Sequence, residues 1–240
     1  MSICVRLDPS KSVFWASVLK ESLTKGFMSR KSAEKMAGRL GFVAYAVLGP
    51  LGANRVRHIY AHAMAPTDSP ITDQLRTELE WWLSYLSENP PVKVRIGPCL
   101  PKPVVLYTDA EGNGGLGAVL VSDSQCLSMM SDVKHLSMPK LKARKTQIVP
   151  YEAVAITVAA TKFKRHLLSR DVIFLADNQT VLSCVKKGKS RVPDVHELIH
   201  DTLSVFESCH ARVFAYWVPS ALNISDLPSR GEDVPFAELV

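Results

Sequence analysis

The stretch Val104-Val105-Leu106-Tyr107-Thr108-Asp109, followed by Ala110-Glu111-Gly112-Asn113-Gly114-Gly115-Leu116-Gly117-Ala118-Val119-Leu120-Val121-Ser122, decides the fold. Its first six residues are apolar and β-prone and end on a carboxylate, which reads as a buried strand. Glu111 to Gly115 is polar and glycine-rich, the composition of a tight turn. Gly117 to Ser122 then reads as the returning strand. An acid at the end of an apolar strand lies where open α/β sheets gather their ligands.

Outward from this hairpin the pattern continues. Cys126 to Ser131 reads as a third strand. A basic loop leads to a helix from about Pro150 to Leu168, with proline in its first turn. Asp171 to Ala176 is a fourth strand, Asn178 to Lys186 a short helix, Val195 to Ser208 another, and Ala211 to Val218 a last strand. Three meandering strands followed by alternating helices and strands predict an α/β domain with a mixed five-stranded sheet and flanking helices. Residues 1–95 have a helical period instead. Ser10 to Lys25 places Val13, Phe14, Val18, Leu19 and Leu23 at helical spacing. Met36, Leu40, Val43 and Val47 mark a second helix, broken at Gly49-Pro50. Leu75, Leu79, Trp82, Leu83 and Leu86 mark a last one. No strand is evident there, so a small all-α region is expected. Proline crowds residues 89–103, and the reading places a linker at 96–103 and the α/β domain at 104–240.

Composition narrows the function classes. The chain has 240 residues, 47% of them apolar and 22% charged, which fits a packed globular protein. No apolar run approaches the ~18 residues of a membrane span, and no membrane partner is expected. The start lacks a basic-then-apolar leader, so an intracellular protein, cytoplasmic or nuclear and not secreted, is expected. Five scattered cysteines without a C-x-x-C spacing argue against a disulfide framework or a thiolate zinc site. The net charge is +6, and residues 1–100 hold 13 bases against 8 acids. Such a balance suits a polyanionic partner.

Four carboxylates stand where catalysis would use them. Asp109 ends the first strand, Glu152 lies in the first turn of the long helix, Asp177 follows the fourth strand, and Asp226 lies beyond the last. Singly, each is a common turn former or helix cap. Together, converging carboxylates repel one another, and a hard divalent cation with oxygen ligands relieves that repulsion.

These segments resemble a known family. Leu-Tyr-Thr-Asp-Ala-Glu-Gly-Asn, Thr-Gln-Ile-Val-Pro-Tyr-Glu-Ala-Val-Ala-Ile, Phe-Leu-Ala-Asp-Asn and Trp-Val-Pro-Ser-Ala-Leu-Asn-Ile-Ser-Asp-Leu-Pro-Ser-Arg-Gly make residues 104–231 look like the ribonuclease H domain of a retroelement reverse transcriptase. The last segment is similar to the family's N-x-x-D-x-x-S-R ending. Residues 30–62 resemble the thumb or connection region that precedes it, most like that of DIRS-type retrotransposons. The resemblance implies a ribonuclease H-like fold and hydrolysis of the RNA strand of an RNA–DNA hybrid by a two-metal mechanism. It implies two Mg²⁺ ions, with Mn²⁺ as a substitute. Asp109 would bridge both ions, Glu152 and Asp177 would complete one site, and Asp226 would hold the second. The spacings of 43, 25 and 49 residues are compatible with such a domain. Two features depart from the family: a short or absent closing helix after Asp226, and no histidine near it. No Asp-Asp pair occurs, so the polymerase palm is absent and the missing polymerase domain is an expected partner.

A hybrid is near A-form, and its wide minor groove displays 2′-hydroxyls on one strand. Thr108, Asn113 and Asn178 are candidates by position to read them. Phosphates would be met by basic residues: Lys134, Lys140, Lys142, Arg144 and Lys145 before the long helix, and Lys186, Lys187, Lys189 and Arg191 after the short one. Two alternatives compete. The first is a catalytically inactive ribonuclease H-like module that binds nucleic acid or serves as structure. The second is a zinc metalloprotease, because His196-Glu197-Leu198-Ile199-His200 matches H-E-x-x-H. There the third ligand is missing from the extended pattern, with Phe206 where a histidine is needed.

Overall fold

The computed structural model describes residues 2–48, 52, 54–97, 102–136 and 141–239. Gly49-Pro50, Cys99, Lys140 and residues 98–101 of the expected linker lie outside the described residues. The chain divides into two compact units, Met1–Gly97 and Pro98–Val240.

Among the described residues the first unit carries the α-helices α1 (Pro9–Lys25), α2 (Arg30–Val43), α3 (Arg57–Ala63) and α4 (Asp73–Glu88). Their ends follow local chemistry. Side chains of Asp8, Ser29 and Thr72 accept the backbone N–H groups that the first turns of α1, α2 and α4 leave unpaired. Gly26 stops α1 in the left-handed conformation, at φ 62°. Leu19, Met36, Leu40, Ile59, Leu75, Leu79 and Trp82 form its core. Two expectations need correction. In α1 Leu19 is buried and Val18 and Leu23 pack against the core, but Val13 and Phe14 are 72% and 54% exposed, and Ser12 and Ser22 are buried with Leu19. The Ser12 hydroxyl donates to the Leu86 carbonyl at 2.6 Å, so a polar residue can occupy the inward face. The unit is also not all-α. Strand β1 (Ser2–Val5) pairs antiparallel with β2 (Val92–Arg95).

The second unit carries the mixed sheet. Strands β3 (Val104–Ala110), β4 (Gly115–Val121) and β5 (Cys126–Asp132) form an antiparallel meander. Helix α5 (Ile148–Lys162) and a short turn of helix, α6 (Lys164–Leu167), lead to β6 (Asp171–Ala176), which pairs parallel with β3. Helices α7 (Gln179–Lys187) and α8 (Pro193–Ser208) lead to β7 (Arg212–Trp217), parallel to β6. The four-residue helix α9 (Asp226–Ser229) follows. A sixth strand, β8 (Glu238–Leu239), too short to announce itself in sequence, pairs parallel with β5. The order is β7-β6-β3-β4-β5-β8.

Helix α5 is apolar on most sides, with Ala153, Val154, Ala155, Ile156, Ala159 and Ala160 all buried. A helix with so little polar surface must be enclosed, and α5 lies against the sheet and α8. Its Thr157 hydroxyl meets that of Thr202 at 2.7 Å. No helix among the described residues is long and apolar enough to cross a membrane.

Candidate metal centre

The sheet changes direction of pairing at β3, which runs antiparallel to β4 and parallel to β6. Parallel strands end on the same side. Tyr107 pairs with Leu175, and Asp109 and Asp177 each lie two residues beyond that pair. Glu152 is the fifth residue of α5 and arrives from the packed helix. Topology therefore brings together three acids separated in sequence. One carboxylate oxygen from each lies within 4.8 Å of the others.

Asp109 is 7% and Glu152 3% exposed. Burial, and then the charges of Asp109 and Asp177, push the Glu152 carboxyl up to about 9, with a hydrogen bond from Asn178 opposing. Burial also raises Asp109, with Asp177 and Asp226 adding to it and a hydrogen bond from Ser229 opposing. Glu152 Oε2 is buried without a hydrogen-bond partner. Without a cation, then, the cluster favours retention of a proton. Three oxygen donors, one of them orphaned, fit a hard divalent ion, which would replace that proton.

Hydroxyls and a ring hold two of the acids in place. Ser229 Oγ donates to Asp109 Oδ2 at 2.6 Å. Ser220 Oγ donates to Asp177 Oδ2 at 2.5 Å, and Trp217 Nε1 donates to the Asp177 carbonyl at 3.0 Å. Asp226 is placed differently and lies outside the three-acid group. Its Oδ1 accepts from Arg230 Nη2 at 2.9 Å, and Arg230 Nε lies 3.5 Å from Glu111 Oε1.

Helix α9 reaches this position because β4 is notched by glycine. A Cβ on Gly115 would fall 2.1 Å from the Ser229 carbonyl oxygen, and one on Gly117 would fall 2.3 Å from the Ser229 nitrogen. Gly117 is also the cross-strand partner of Asp109. Buried Asn223 ties the approach down, donating to the Thr108 carbonyl at 3.2 Å and accepting from Ser225 Oγ at 2.6 Å. The N-x-x-D-x-x-S-R pattern thus describes a small clamp: Asn223 anchors it, Ser229 holds Asp109 and Arg230 holds Asp226. The sequence displayed these residues, but only the structure assigns their partners. Ser220 and Trp217 stand at the start of the same segment, ahead of the N-x-x-D-x-x-S-R pattern, and nothing in the sequence assigned them a role.

The expected nucleic-acid contacts divide. Thr108 is 0% exposed and faces into the packed domain, so it is corrected from a groove contact to a core residue. Side chains alternate along a strand, and the turn from Thr108 to Asp109 reverses the face. Arg144 is also corrected. Its Nη2 bonds both oxygens of buried Asp194, at 2.8 and 2.6 Å, and the backbone of Lys142 donates to the same carboxylate. Asn178 Oδ1 caps α7 by accepting from the N–H groups of Thr180 and Val181. Asn113 is exposed in the β3–β4 turn, and Lys142, Lys145, Lys186 and Lys187 are exposed. Lys187, Lys189 and Arg191 line a groove at the end of α7, with Ser190 and Val192.

The H-E-x-x-H residues form no comparable centre. His196 is buried and its Nδ1 accepts from the Ser190 N–H at 3.3 Å. His200 Nδ1 lies 3.9 Å from Asp201 Oδ1. Among the described residues no third ligand joins the two histidines, and the only group that meets is Asp109, Glu152 and Asp177.

An antiparallel meander continued by two parallel strands, with acids at the ends of its first and fourth strands, is the mixed α/β fold that the resemblance to ribonuclease H domains implied. The chain is similar to several solved structures. The N-terminal RNase H domain of Rv2228c from Mycobacterium tuberculosis is 20% identical over 51% of this chain and 92% of that one, with a TM-score of 0.39. RNase H1 from the archaeon Halobacterium salinarum is 17% identical over 51% of this chain and 89% of that one, with a TM-score of 0.38. A foamy viral protease-reverse transcriptase, solved with dsDNA, is 12% identical over 85% of this chain and 41% of that one, with a TM-score of 0.33. No protein-family model and no curated protein matches the sequence.

Proposed function

We propose that this chain is the ribonuclease H part of a retrotransposon reverse transcriptase, of DIRS type by its sequence motifs, and hydrolyses the RNA strand of RNA–DNA hybrids. The observation that carries the reading is the convergence of Asp109, Glu152 and Asp177, with an orphaned oxygen on Glu152. Residues 1–95 would serve as the thumb or connection region, and a separate polymerase domain would supply the palm.

In this reading Asp109, Glu152 and Asp177 would hold one Mg²⁺ ion, and Asp226 would help to hold a second. The ions supply activation of the attacking water and stabilisation of the leaving oxygen. The chain's own groups orient the donors. Ser229 fixes one oxygen of Asp109, leaving the other for a ligand; Ser220 does the same for Asp177, whose backbone carbonyl Trp217 holds. Exposed Lys142, Lys145, Lys186 and Lys187 meet phosphates, and Asn113 reaches toward the groove. Arg144 contributes indirectly, by fixing the basic loop to α8 through Asp194.

The test is a labelled RNA–DNA hybrid incubated with the full chain and Mg²⁺, with EDTA and Asp109→Asn controls. Loss of the RNA strand alone, absent in both controls, is expected. A hybrid that is bound and left intact under all conditions would reject the nuclease.

A further inference from the structure

Asp226 and its neighbour Arg230 raise a question that the three-acid cluster does not. The fourth carboxylate belongs to a helix seated directly on β4, and its charge reaches Asp109, yet it stands outside the three-acid group and is paired with a guanidinium. We propose that Arg230 is a latch on Asp226: it holds this carboxylate apart from the cluster, and a second divalent ion binds only when the pair opens.

The surrounding contacts suit a latch. The backbone of α9 is fixed, since Ser229 is buried, donates to Asp109 at 2.6 Å and rests in the notch left by Gly115 and Gly117. Motion is therefore left to side chains. The pair is accessible, with the side chains of Arg230 and Asp226 53% and 40% exposed. An exposed ion pair is weak enough to exchange. Arg230 also has a second anion in reach, Glu111 at 3.5 Å, so releasing Asp226 does not strand the cation. A guanidinium beside a carboxylate offsets the charge that would draw a divalent ion there. The consequence is unequal occupancy: the three-acid group binds its ion first, and the site at Asp226 binds weakly while Arg230 stays. This inference rests on the metal-centre reading above.

The experiment is calorimetric titration of the full chain with MnCl₂ in the absence of nucleic acid. The wild type is expected to bind one ion well and a second at least about tenfold more weakly. Arg230→Gln should tighten the second event about tenfold or more. Arg230→Lys, which keeps the charge, should stay near the wild type, and the double variant Asp226→Asn/Arg230→Gln should lose the second event. Circular dichroism checks that each variant is folded. Two equal sites in the wild type, or an unchanged second event in Arg230→Gln, would overturn the latch while leaving the metal centre standing. A wild type that binds no Mn²⁺, like Asp109→Asn, would overturn the metal centre itself and the latch with it.

Discussion

At the scale of the residue, Glu152 has the most to say about pH. Its carboxyl titrates near 9 in the metal-free fold against 4.5 when unperturbed, because burial and two neighbouring acids disfavour its charge. Between those values the folded state holds a proton that the unfolded state has released, so stability is full below about 4.5 and declines toward 9. Thermal melts of the metal-free chain should show Tm falling as pH rises across that window. Glu152→Gln should remove this part of the fall and melt higher than the wild type at pH 8. A wild-type-like pH slope in the variant would contradict the assignment. Ser229→Ala tests positioning: losing a buried hydroxyl bonded to a carboxylate should cost about 1–2 kcal/mol in urea unfolding. It should also lower kcat on the hybrid more than it changes KM, because Asp109 stays but is less well oriented.

Among the elements, the seat of α9 on β4 and the tether of the basic loop are the joints that matter. Gly117→Ala places a methyl against the Ser229 and Ser225 backbone, where nothing can rotate away. Such overpacking should destabilise the domain by about 2 kcal/mol or more in urea unfolding. Cleavage should fall with it, since α9 carries both Ser229 and Asp226. Arg144→Ala would leave Asp194, 2% exposed, without its guanidinium. A loss of about 3 kcal/mol is expected, measured by the same unfolding. The reading of Arg144 as a loop tether, rather than a phosphate contact, predicts that the effect appears in stability even without nucleic acid.

For the whole molecule, the division at Gly97–Pro98 predicts that residues 98–240 fold alone. A cooperative melt of that fragment, with Mn²⁺ binding like the full chain's, is the expected result, and an unfolded fragment would refute it. The charge balance predicts salt-sensitive hybrid binding, with Lys186→Ala/Lys187→Ala flattening the slope of log K against log salt by about 2 units.

The sequence by itself determined the five longer strands and the main helices of the second unit, and three members of the acidic cluster. Asp109 and Asp177 ended apolar strands, and Glu152 opened a helix, because period and turn chemistry are local properties. Local signals do not fix phase, partner or pairing. Val13 and Phe14 have helical spacing yet face outward, since a serine hydroxyl 74 residues from its carbonyl partner fills the inner face. Strands β1 and β2 are four residues each, too short for a periodic signal, and join opposite ends of their unit. Arg144 looked free until Asp194, 50 residues on, came beside it. Thr108 turned inward by strand alternation, and Asp226 pairs with Arg230 and stands outside the three-acid group. For Ser12 and Arg144 the outcome depended on which distant group could satisfy a buried polar atom or an ion, and only the folded chain brings those groups within reach.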